Sequence, residues 1–593
     1  MLTTEGYWTR AMSGHTSRRR MLQGSALAGL GLAGAALVGC GEEDEPSPAP
    51  TTGSPTATPA AGGAATATAA AESAIKRGGK ALQHLTGPHN DENDPHKSTS
   101  QASYYWGTMG NTGTRLSQDA TEVLGELIES WEQVSDTELV MKTRQGAKWH
   151  DKGVEAGRAF DAEDAAYNLL RITGRFEPDQ IARFHRRSTL DGMAEAVAVD
   201  ATTVKVTFSR PTSTFLAGMT DFRNSWISKE FVDSGGDFND FASMVGTGPW
   251  IIDRFENEVS AHFVRNPNFW KEGGLPYLEE FEWVWIPDAT SAIAALSQDQ
   301  ISYFVTGSKV QRETVASLAS KAREETVTQP EWIHIRFNTT RAPLDDPRVR
   351  KAIQLVPRWS DMAQEAHGEG YWGFVGPLTT AFPEAYTHDE LAKMPGWNPD
   401  SKEADIKTAV DLMTAAGFPD GALSFRLMPS STTQGTYSFD YSVRVQDQLK
   451  AVWPAMTLDM DPPADNASFG KRQADGDFDA LTYSNFPQPD PVLELTSQYH
   501  NSGSRNYGKF ADADIDRLLE DSAQQLDPAE RTATLREVQD LLINDHMPMV
   551  TINTYSTGIY FQDYVRNMEN FMGKIDHRTL DLVRYTERMW FDK

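Results

Sequence analysis

Histidine and aspartate side chains are concentrated between positions 84 and 96. The segment carries His84, His89, Asp91, Asp94 and His96, and imidazole and carboxylate groups are common ligands of divalent metals. Their spacing matches no metal-binding motif, however, and the same residue types suit a solvated loop. We therefore predict a polar loop here and no metal site.

Trp149-His150-Asp151 also places a histidine next to a carboxylate. No serine or second base is linked to it, so we interpret it as a structural corner. The sequence contains no HExxH, GxSxG or P-loop motif and no cysteine nucleophile. With 83 Asp and Glu residues, two carboxylates could lie close enough to act as a glycosidase-like pair. A hydrolase with such a pair therefore stays open as an alternative. Nothing points to one, and we predict that the protein is not an enzyme and needs no cofactor.

The composition limits the classes of partner. The 593 residues carry 55 Lys and Arg against 83 Asp and Glu, a formal net charge of −28. Such acidity argues against nucleic-acid binding and against a body lying flat on anionic lipid, and it keeps an exported protein soluble. Cys40 is the only cysteine, so a disulfide within the chain is impossible. The length allows two or three lobes with cores of their own.

The first forty residues have the character of an export signal. Arg18 and Arg19 lie in a Ser-Arg-Arg-Arg-Met-Leu sequence that resembles a twin-arginine signal, although Sec export stays open. Residues 27–38 are apolar but too short and too rich in glycine to span a bilayer. Leu-Val-Gly-Cys at 37–40 resembles a lipobox, in which Cys40 would carry the lipid.

A polar stretch follows the cysteine. Residues 41–73 contain only Gly, Glu, Asp, Pro, Ser, Thr and Ala, a composition that cannot bury a core. We predict a signal over 1–39 and a lipidated, disordered tether over 40–77 that lets the folded body reach a membrane transporter.

The folded body is organised around residues 245–296. Gly246 and Gly248 in a Gly-Thr-Gly-Pro sequence predict a turn, because glycine releases φ. Strands are predicted from Trp250, over 259–264 and over 281–286. The third strand should place three aromatic side chains on one face: Phe281, Trp283 and Trp285. Aspartates at three positions are predicted helix caps: Asp161, Asp288 and Asp346.

Four pieces of this stretch, in order and closely spaced, resemble the family 5 extracellular solute-binding proteins, which are receptors of ABC importers for peptides, oligopeptides and nickel. They are GTGP at 246–249, RNPNFW at 265–270, PYL at 276–278 and IPDA at 286–289. PLDDPRVRKAI at 343–353 and DPAER at 527–531 are similar to later passages of the family. The resemblance covers Gly78 to about Tyr560.

The resemblance implies an α/β fold of the type II periplasmic-binding-protein kind, with two lobes, a ligand cleft and an extra domain. Carried over to this chain, lobe one comprises 78–119, 240–331 and a return and tail at 547–593. The extra domain would be 120–239 and lobe two 332–546. Such lobes close on a captured solute by hinge motion, without covalent chemistry.

Residues 478–491 depart from the family at its ligand segment. Peptide receptors of the family commonly have an aspartate here that binds the amino group of the peptide, and alignment on Asp490-Pro491 puts Pro487 at its place. A buried ammonium needs a carboxylate partner, so the usual clamp is missing. A peptide or oligopeptide is the implied cargo, and a sugar or metal chelate is the alternative.

We predict six ligand-binding residues in the cleft. They are Tyr104, Trp106, Asn338, Tyr483, Asn485 and Asp490. The last three follow from their position in the ligand segment, and the others from their chemistry and from predicted strand ends. Tyr104 and Trp106 suit a stacking surface and equally suit a core.

The resemblance also implies partners and a location. We expect a small-molecule ligand, the permease subunits of an ABC transporter, and a membrane contact through the lipid on Cys40. The protein should be a monomer at the outer face of the cytoplasmic membrane, either in a periplasm or at the cell surface.

Overall fold

The computed structural model describes residues 75–85, 93–98, 102–117, 122–257, 259–430, 437–525, 527–568 and 586–593. Arg18, Arg19, Cys40, His89 and Asp91 lie outside these ranges, as does the side chain of Tyr104. Within these ranges, no helix is both long enough and apolar enough to cross a membrane.

Strands occur throughout the body. They are β1 (Lys80–Leu85), β2 (Thr114–Leu116), β3 (Val123–Gly125), β4 (Ile128–Ser135), β5 (Glu138–Thr143), β6 (Met193–Asp200), β7 (Thr203–Phe208), β8 (Trp250–Glu256), β9 (Ser260–Arg265), β10 (Glu280–Trp285), β11 (Tyr303–Thr306), β12 (Arg323–Phe337), β13 (Trp372–Phe374), β14 (Ser424–Pro429), β15 (Thr457–Met460), β16 (Ala480–Asn485), β17 (Met549–Phe561), β18 (Val565–Arg566) and β19 (Trp590–Phe591). The three strands predicted between residues 250 and 286 are confirmed to within one residue at their starts.

Helices connect these strands. They are Ala102–Met109, Ala162–Ile172, Phe215–Gly218, Lys229–Asp233, Ala289–Ser297, Lys309–Leu318, Pro347–Leu355, Trp359–His367, His388–Leu391, Lys402–Ala415, Tyr437–Val452, Asn466–Asp475, Pro491–Tyr499, Ala513–Gln524 and Pro528–Leu541. Asp161, Asp288 and Asp346 each accept hydrogen bonds from backbone N–H groups at a helix start, so the predicted caps are confirmed.

One large sheet runs through both lobes in the order β15-β14-β16-β12-β17-β11-β1-β10-β9-β8, with β13 also paired to β17. Strands β14–β16 belong to what we call the second lobe, and β1 with β8–β11 to the first lobe. The long strands β12 and β17 are shared, since they pair with each other in both halves of the sheet. The architecture is thus the α/β fold with two lobes that the resemblance implies.

The two lobes meet where β12 changes register against β17. Pairing is regular from Arg323 to Thr328 and resumes at Trp332, so residues 329–331 form what we call the hinge. Beyond it lie separate apolar cores, one around Trp250, Phe281 and Trp283 in the first lobe, the other around Ile333, Trp359 and Leu427 in the second. Because each lobe buries its own core, each can move as a unit about the hinge.

A second, four-stranded antiparallel sheet has the order β4-β5-β7-β6 and carries the helix Ala162–Ile172 on one face. Val204 and Val206 of β7 pack against Leu169 of that helix and against Phe215 of a following segment. We call this unit the side sheet. Residues 186–224, which we call the 186–224 segment, include β6 and β7 of this sheet, and the parts on either side of these two strands reach the second lobe.

The Gly-Thr-Gly-Pro turn is present, but for a different reason from the one predicted. Neither Gly246 nor Gly248 has a positive φ. A Cβ at Gly246 would lie 2.0 Å from the carbonyl oxygen of Met109, and one at Gly248 would lie 2.6 Å from the carbonyl carbon of Met109. The glycines are therefore required by the close approach of the 102–109 helix end and not by φ.

His150 is held against the same turn, as expected of a structural corner. Its ring nitrogens contact the Gly248 carbonyl oxygen at 3.0 Å and the Gly246 N–H at 3.2 Å, and its side chain is fully buried. Burial lowers the pKa of His150 to about 4. The side chain is thus neutral and occupied by structural bonds.

Candidate ligand site between the lobes

The cleft opens at the end of β16, beside the hinge. Trp332 of β12 pairs with Asn485, the last residue of β16, and the chain continues through Phe486 and Pro487 toward the helix Pro491–Tyr499. Ligands of α/β folds bind where strand ends leave such a crevice. The residues around this point therefore define the candidate site.

Three arginines from distant parts of the sequence converge here, and we call Arg186, Arg223 and Arg505 the arginine cluster. Arg223 Nη2 donates to the Pro487 carbonyl oxygen at 3.4 Å, and Arg505 Nη1 donates to the Phe486 carbonyl oxygen at 2.7 Å. All three side chains are buried, at 3–5 % exposure. Two come from the 186–224 segment and one from the second lobe, so the cluster bridges the two sides of the cleft.

The carboxylates paired with the cluster, among the residues that the structure describes, are Asp221 and Glu494. Asp221 accepts from Arg223 Nε at 2.7 Å and lies 3.6 Å from Arg186 Nε. Glu494 lies 3.6 Å from Arg505 Nη1. Three cations thus face two anions in a buried place.

The excess of positive charge lowers the pKa values of two arginines in the cluster. Burial, followed by repulsion from Arg223 and Arg505, lowers the pKa of Arg186 to about 9. Burial and then Arg223 also lower the pKa of Arg505. Repulsion between buried cations costs free energy that an incoming anion would offset. The arrangement is suited to bind a negatively charged group.

The side sheet and the second lobe touch beside the cluster. Ser213 donates from its backbone N–H and its Oγ to the Ala523 carbonyl oxygen, at 3.2 and 3.0 Å. The hydroxyls of Ser188 and Ser504 are 3.2 Å apart. A cavity of about 500 Å³ lies along this contact. The structure therefore represents a closed arrangement of the cleft.

A carboxylate lies at the hinge itself. Glu331 accepts a hydrogen bond from the hydroxyl of Tyr555 on β17. The residue is partly exposed. Burial raises the pKa of Glu331, and the Ser484 and Tyr555 side chains only partly oppose that shift.

Tyr483 and Asn485 are the two predicted residues that the structure brings to this place. The ring of Tyr483 lies 5.4 Å from that of Phe469 and 5.9 Å from that of His334. Burial raises the pKa of Tyr483 to about 12, and its charge environment includes Tyr507, Arg505, Glu331 and Arg186 in that order. Tyr483 and Asn485 thus belong to the end of β16 that leads directly to the arginine cluster.

Asp490 is near the cleft in sequence but is occupied by protein partners. Its carboxylate accepts from the N–H groups of Val492 and Leu493 and from Arg531 Nη2, at 2.8, 3.2 and 2.8 Å respectively. It is completely buried. In this conformation Asp490 caps the helix Pro491–Tyr499 and neutralises Arg531.

Trp106 and Asn338 lie away from the hinge. The Trp106 indole donates to the Asn93 carbonyl oxygen at 2.9 Å within the first-lobe core. Asn338 follows the last residue of β12 and donates to the Gly476 carbonyl oxygen at 3.0 Å. The register places the hinge at residues 329–331, at the opposite end of the part of β12 that pairs with β16, so the structure does not bring Asn338 to the candidate site.

Asp94 and His96, from the segment rich in histidine and aspartate between positions 84 and 96, make structural contacts. Asp94 accepts from Arg171 Nη1 at 2.9 Å, and His96 contacts the same nitrogen through Nδ1 and the Ser225 carbonyl oxygen through Nε2. Burial, followed by Arg171, lowers the pKa of His96 to about 3. Both side chains are thus tied to the buried arginine of the helix Ala162–Ile172.

The sequence analysis missed the arginine cluster and Glu331. Nothing in the local sequence of Arg186, Arg223 or Arg505 marks them, because their proximity arises from contacts across more than 260 residues. Glu331 carries a weak signal, since it follows Pro330 and precedes the apolar residues of β12 that begin at Trp332.

Comparison with known proteins agrees with this geometry. Residues 122–506 match the model of the bacterial extracellular solute-binding proteins, family 5. The glutathione-binding protein GsiB of Salmonella paratyphi A is 25% identical over 461 residues, covering 76% of this chain and 83% of the relative. Heme-binding protein A of Haemophilus influenzae is 23% identical over 472 residues, covering 76% and 82%.

Solved structures share the fold. The ABC transporter-associated periplasmic binding protein DppA of Helicobacter pylori, in complex with the peptide STSA, superposes with a TM-score of 0.74 at 17% identity, covering 89% of this chain and all of that one. The binding protein AgaA from A. tumefaciens R10, in complex with agropinic acid, gives 0.72 at 20% identity, covering 87% and 99%.

The fold and the interlobe site define a two-lobed binding protein, not an enzyme. Within that class, the chain belongs to the bacterial extracellular solute-binding proteins of family 5.

Proposed function

We propose that the protein is the capture receptor of an ABC importer and that its cargo is a small acidic solute, a peptide above all. The observation that carries the proposal is the arginine cluster, in which three buried cations face two carboxylates among the described residues. A carboxylate of the cargo would restore the charge balance and would hold the lobes closed, since the cluster spans both sides.

The relatives support an acidic cargo. Glutathione and the peptide STSA, named as ligands of two of them, are peptides and carry carboxylates. Agropinic acid, bound by a third, is not a peptide. A neutral sugar would leave the surplus charge of the cluster uncompensated, so the cluster argues against the sugar alternative.

The test is to identify what the protein carries. The purified protein is denatured and the released solutes are identified by mass spectrometry, and the recovered species is then titrated back by calorimetry. We expect short peptides or another carboxylate-bearing solute. A neutral sugar as the bound species would contradict the acidic-cargo proposal.

We further propose that the mature protein is a monomer tethered by lipid on Cys40. The export signal with Arg18 and Arg19, the lipobox-like sequence and the polar stretch at 41–73 support this arrangement, which would keep the receptor near its permease. Radiolabelled palmitate should be incorporated into the wild-type protein and absent from Cys40→Ser.

The predicted division of the chain is kept as part of this proposal: lobe one from 78–119, 240–331 and 547–593, the extra domain from 120–239, and lobe two from 332–546. The register change of β12 between Thr328 and Trp332 supports the boundary near 331.

A further inference from the structure

Glu331 occupies an unusual position for an acid. It belongs to the hinge strand β12, its backbone carbonyl accepts from Thr554 Oγ1 at 3.0 Å, and its carboxylate accepts a hydrogen bond from the Tyr555 hydroxyl of β17. One hydroxyl donor leaves much of the acceptor capacity of a carboxylate unused. The remaining oxygen lone pairs are available to a donor that enters the cleft.

No lysine or arginine forms an ion pair with Glu331 within the described ranges. Arg312, on the nearby helix Lys309–Leu318, is occupied elsewhere, because it donates to the carbonyl oxygens of Gly307 and His367 and lies 3.7 Å from the ring centre of Tyr371. An anion set into a hinge without a cation is destabilised unless a cation is supplied.

Aromatic rings flank the same place. The rings of Tyr437 and Tyr555 are 5.2 Å apart, and His367 stacks parallel to Tyr555 at 4.8 Å. Tyrosine faces attract ammonium groups. Burial lowers the pKa of His367 to about 4, so this ring is neutral and does not compete with a ligand cation.

The cleft therefore has two opposite poles. Glu331 precedes Trp332, which pairs with Asn485. The next two residues, Phe486 and Pro487, accept hydrogen bonds from Arg505 and Arg223, so the hinge acid and the arginine cluster lie at the same end of β16. A ligand that carries an ammonium at one end and a carboxylate at the other matches both poles.

We propose that Glu331 binds the ammonium group of a zwitterionic cargo, which for a peptide is its free amino terminus. This assignment rests on the proposed function, because it takes the arginine cluster as the carboxylate site. Glu331 acts as a specificity-determining residue, since a cargo with a blocked amine would bury the carboxylate without a cation.

The test compares two synthetic pools of randomised tri- to pentapeptides, one with free amino termini and one N-acetylated. The full-length protein is incubated with each pool and washed, and the retained peptides are quantified by mass spectrometry after denaturation. Wild-type protein should retain the free-amine pool at least about tenfold more strongly, the effect of one charge-assisted bond. In Glu331→Gln the ratio should fall to about one, because the amide keeps an acceptor for Tyr555 but lacks the charge.

Glu313→Gln, which removes an acid with a 66% exposed side chain, is the matched control and should behave as wild type. Equal retention of both pools by wild-type protein would overturn the role of Glu331 and leave the receptor proposal standing. Retention of neither pool would overturn the peptide cargo and this assignment together. Selectivity for free amines that persists in a folded Glu331→Gln, as judged by its melting temperature, would assign the ammonium to another group.

Discussion

Individual charged side chains determine the electrostatic character of the candidate site. Arg186 has a charged form that its surroundings disfavour, since burial and two neighbouring arginines lower its pKa to about 9. Glu331 shows the opposite imbalance, an acid whose protonated form is favoured by burial. Each of these charged groups therefore destabilises the unliganded protein, and the destabilisation decreases when a ligand group of opposite charge binds.

Replacing Arg186 by glutamine should weaken binding without weakening the fold. We expect affinity for the recovered acidic cargo to fall ~10- to 100-fold, corresponding to about 1.5–3 kcal/mol for a hydrogen bond to a charged group. The melting temperature of the empty protein should stay equal or rise, because a disfavoured charge is removed. Calorimetry and thermal unfolding measure the two effects.

Arg175→Gln is the matched control for that variant, since Arg175 pairs with Glu195 at an exposed part of the side sheet. It should leave affinity unchanged. If Arg186→Gln bound the cargo as wild type does, the cluster would not be the carboxylate site.

Binding of a free-amine peptide should weaken as the pH falls through the pKa of Glu331. Burial raises that pKa, so the loss should begin above the usual glutamate range near about 4.3 and approach at most about tenfold per pH unit. The hydroxyl of Tyr555 on β17 donates a hydrogen bond to Glu331. Ser484, Tyr483 and Tyr437 interact electrostatically with Glu331, and Arg312 is the cation that interacts with Tyr437.

Calorimetry between pH 4 and pH 8 on wild-type protein and Glu331→Gln measures this dependence. The variant should lack it over that window. A wild-type affinity that is flat with pH would argue against an ionised Glu331 in the complex.

At the scale of elements, the helix Pro491–Tyr499 fixes the wall of the cleft. Asp490 caps its first turn and pairs with Arg531 from the helix Pro528–Leu541, so one carboxylate locks two helices of the second lobe. The arginine cluster depends on this lock, because Glu494 of the same helix holds Arg505.

Asp490→Ala should destabilise the protein by about 3–5 kcal/mol, since it leaves a buried arginine without its partner and removes a cap. Asp465→Ala, which removes only an exposed cap at the helix Asn466–Asp475, should cost about 1 kcal/mol. Urea unfolding measures both. A stable Asp490→Ala that has lost its ligand would show that Asp490 is a ligand group rather than a cap.

Local elements were accessible from the sequence because their signals are local. Alternation predicted β10 with its aromatic face, and Asp-Pro at 346–347 predicted the start of a helix. The arginine cluster was not accessible, since it joins residues that are far apart in the chain. Asn338 shows the related difficulty that a strand pattern does not tell which of its ends adjoins the cleft. The resemblance places the amine-binding aspartate of peptide receptors at position 487, whereas in this structure the acidic side chain at the hinge is Glu331.

At the scale of the whole molecule, closure requires two surfaces to meet beside the ligand. The 186–224 segment and the second lobe touch through Ser188 with Ser504, through Ser213 with Ala523 and through Arg223 with the Pro487 carbonyl oxygen. These few polar contacts are weak enough to open, so the ligand must supply much of the closing free energy.

A disulfide across this contact should trap the closed form. The hydroxyls of Ser188 and Ser504 are 3.2 Å apart, which small side-chain shifts can bring to the disulfide length of about 2.05 Å. Oxidised Ser188→Cys/Ser504→Cys should exchange bound cargo at least ~100-fold more slowly than its reduced form, measured by competition with labelled cargo. Ser188→Cys alone should show no redox effect, and fast exchange in the oxidised double variant would mean that cargo leaves without opening here.

The arginine cluster is buried inside a molecule whose formal net charge is −28. An anion therefore meets repulsion at long range and attraction only within the cleft, because salt limits direct action to about 8 Å under physiological conditions. The association rate of an anionic solute should then increase with ionic strength, the reverse of ordinary electrostatic steering. A net-neutral zwitterion does not meet this repulsion. The surface charge of the protein should therefore discriminate between solutes through their association rates, and the cleft through their affinities.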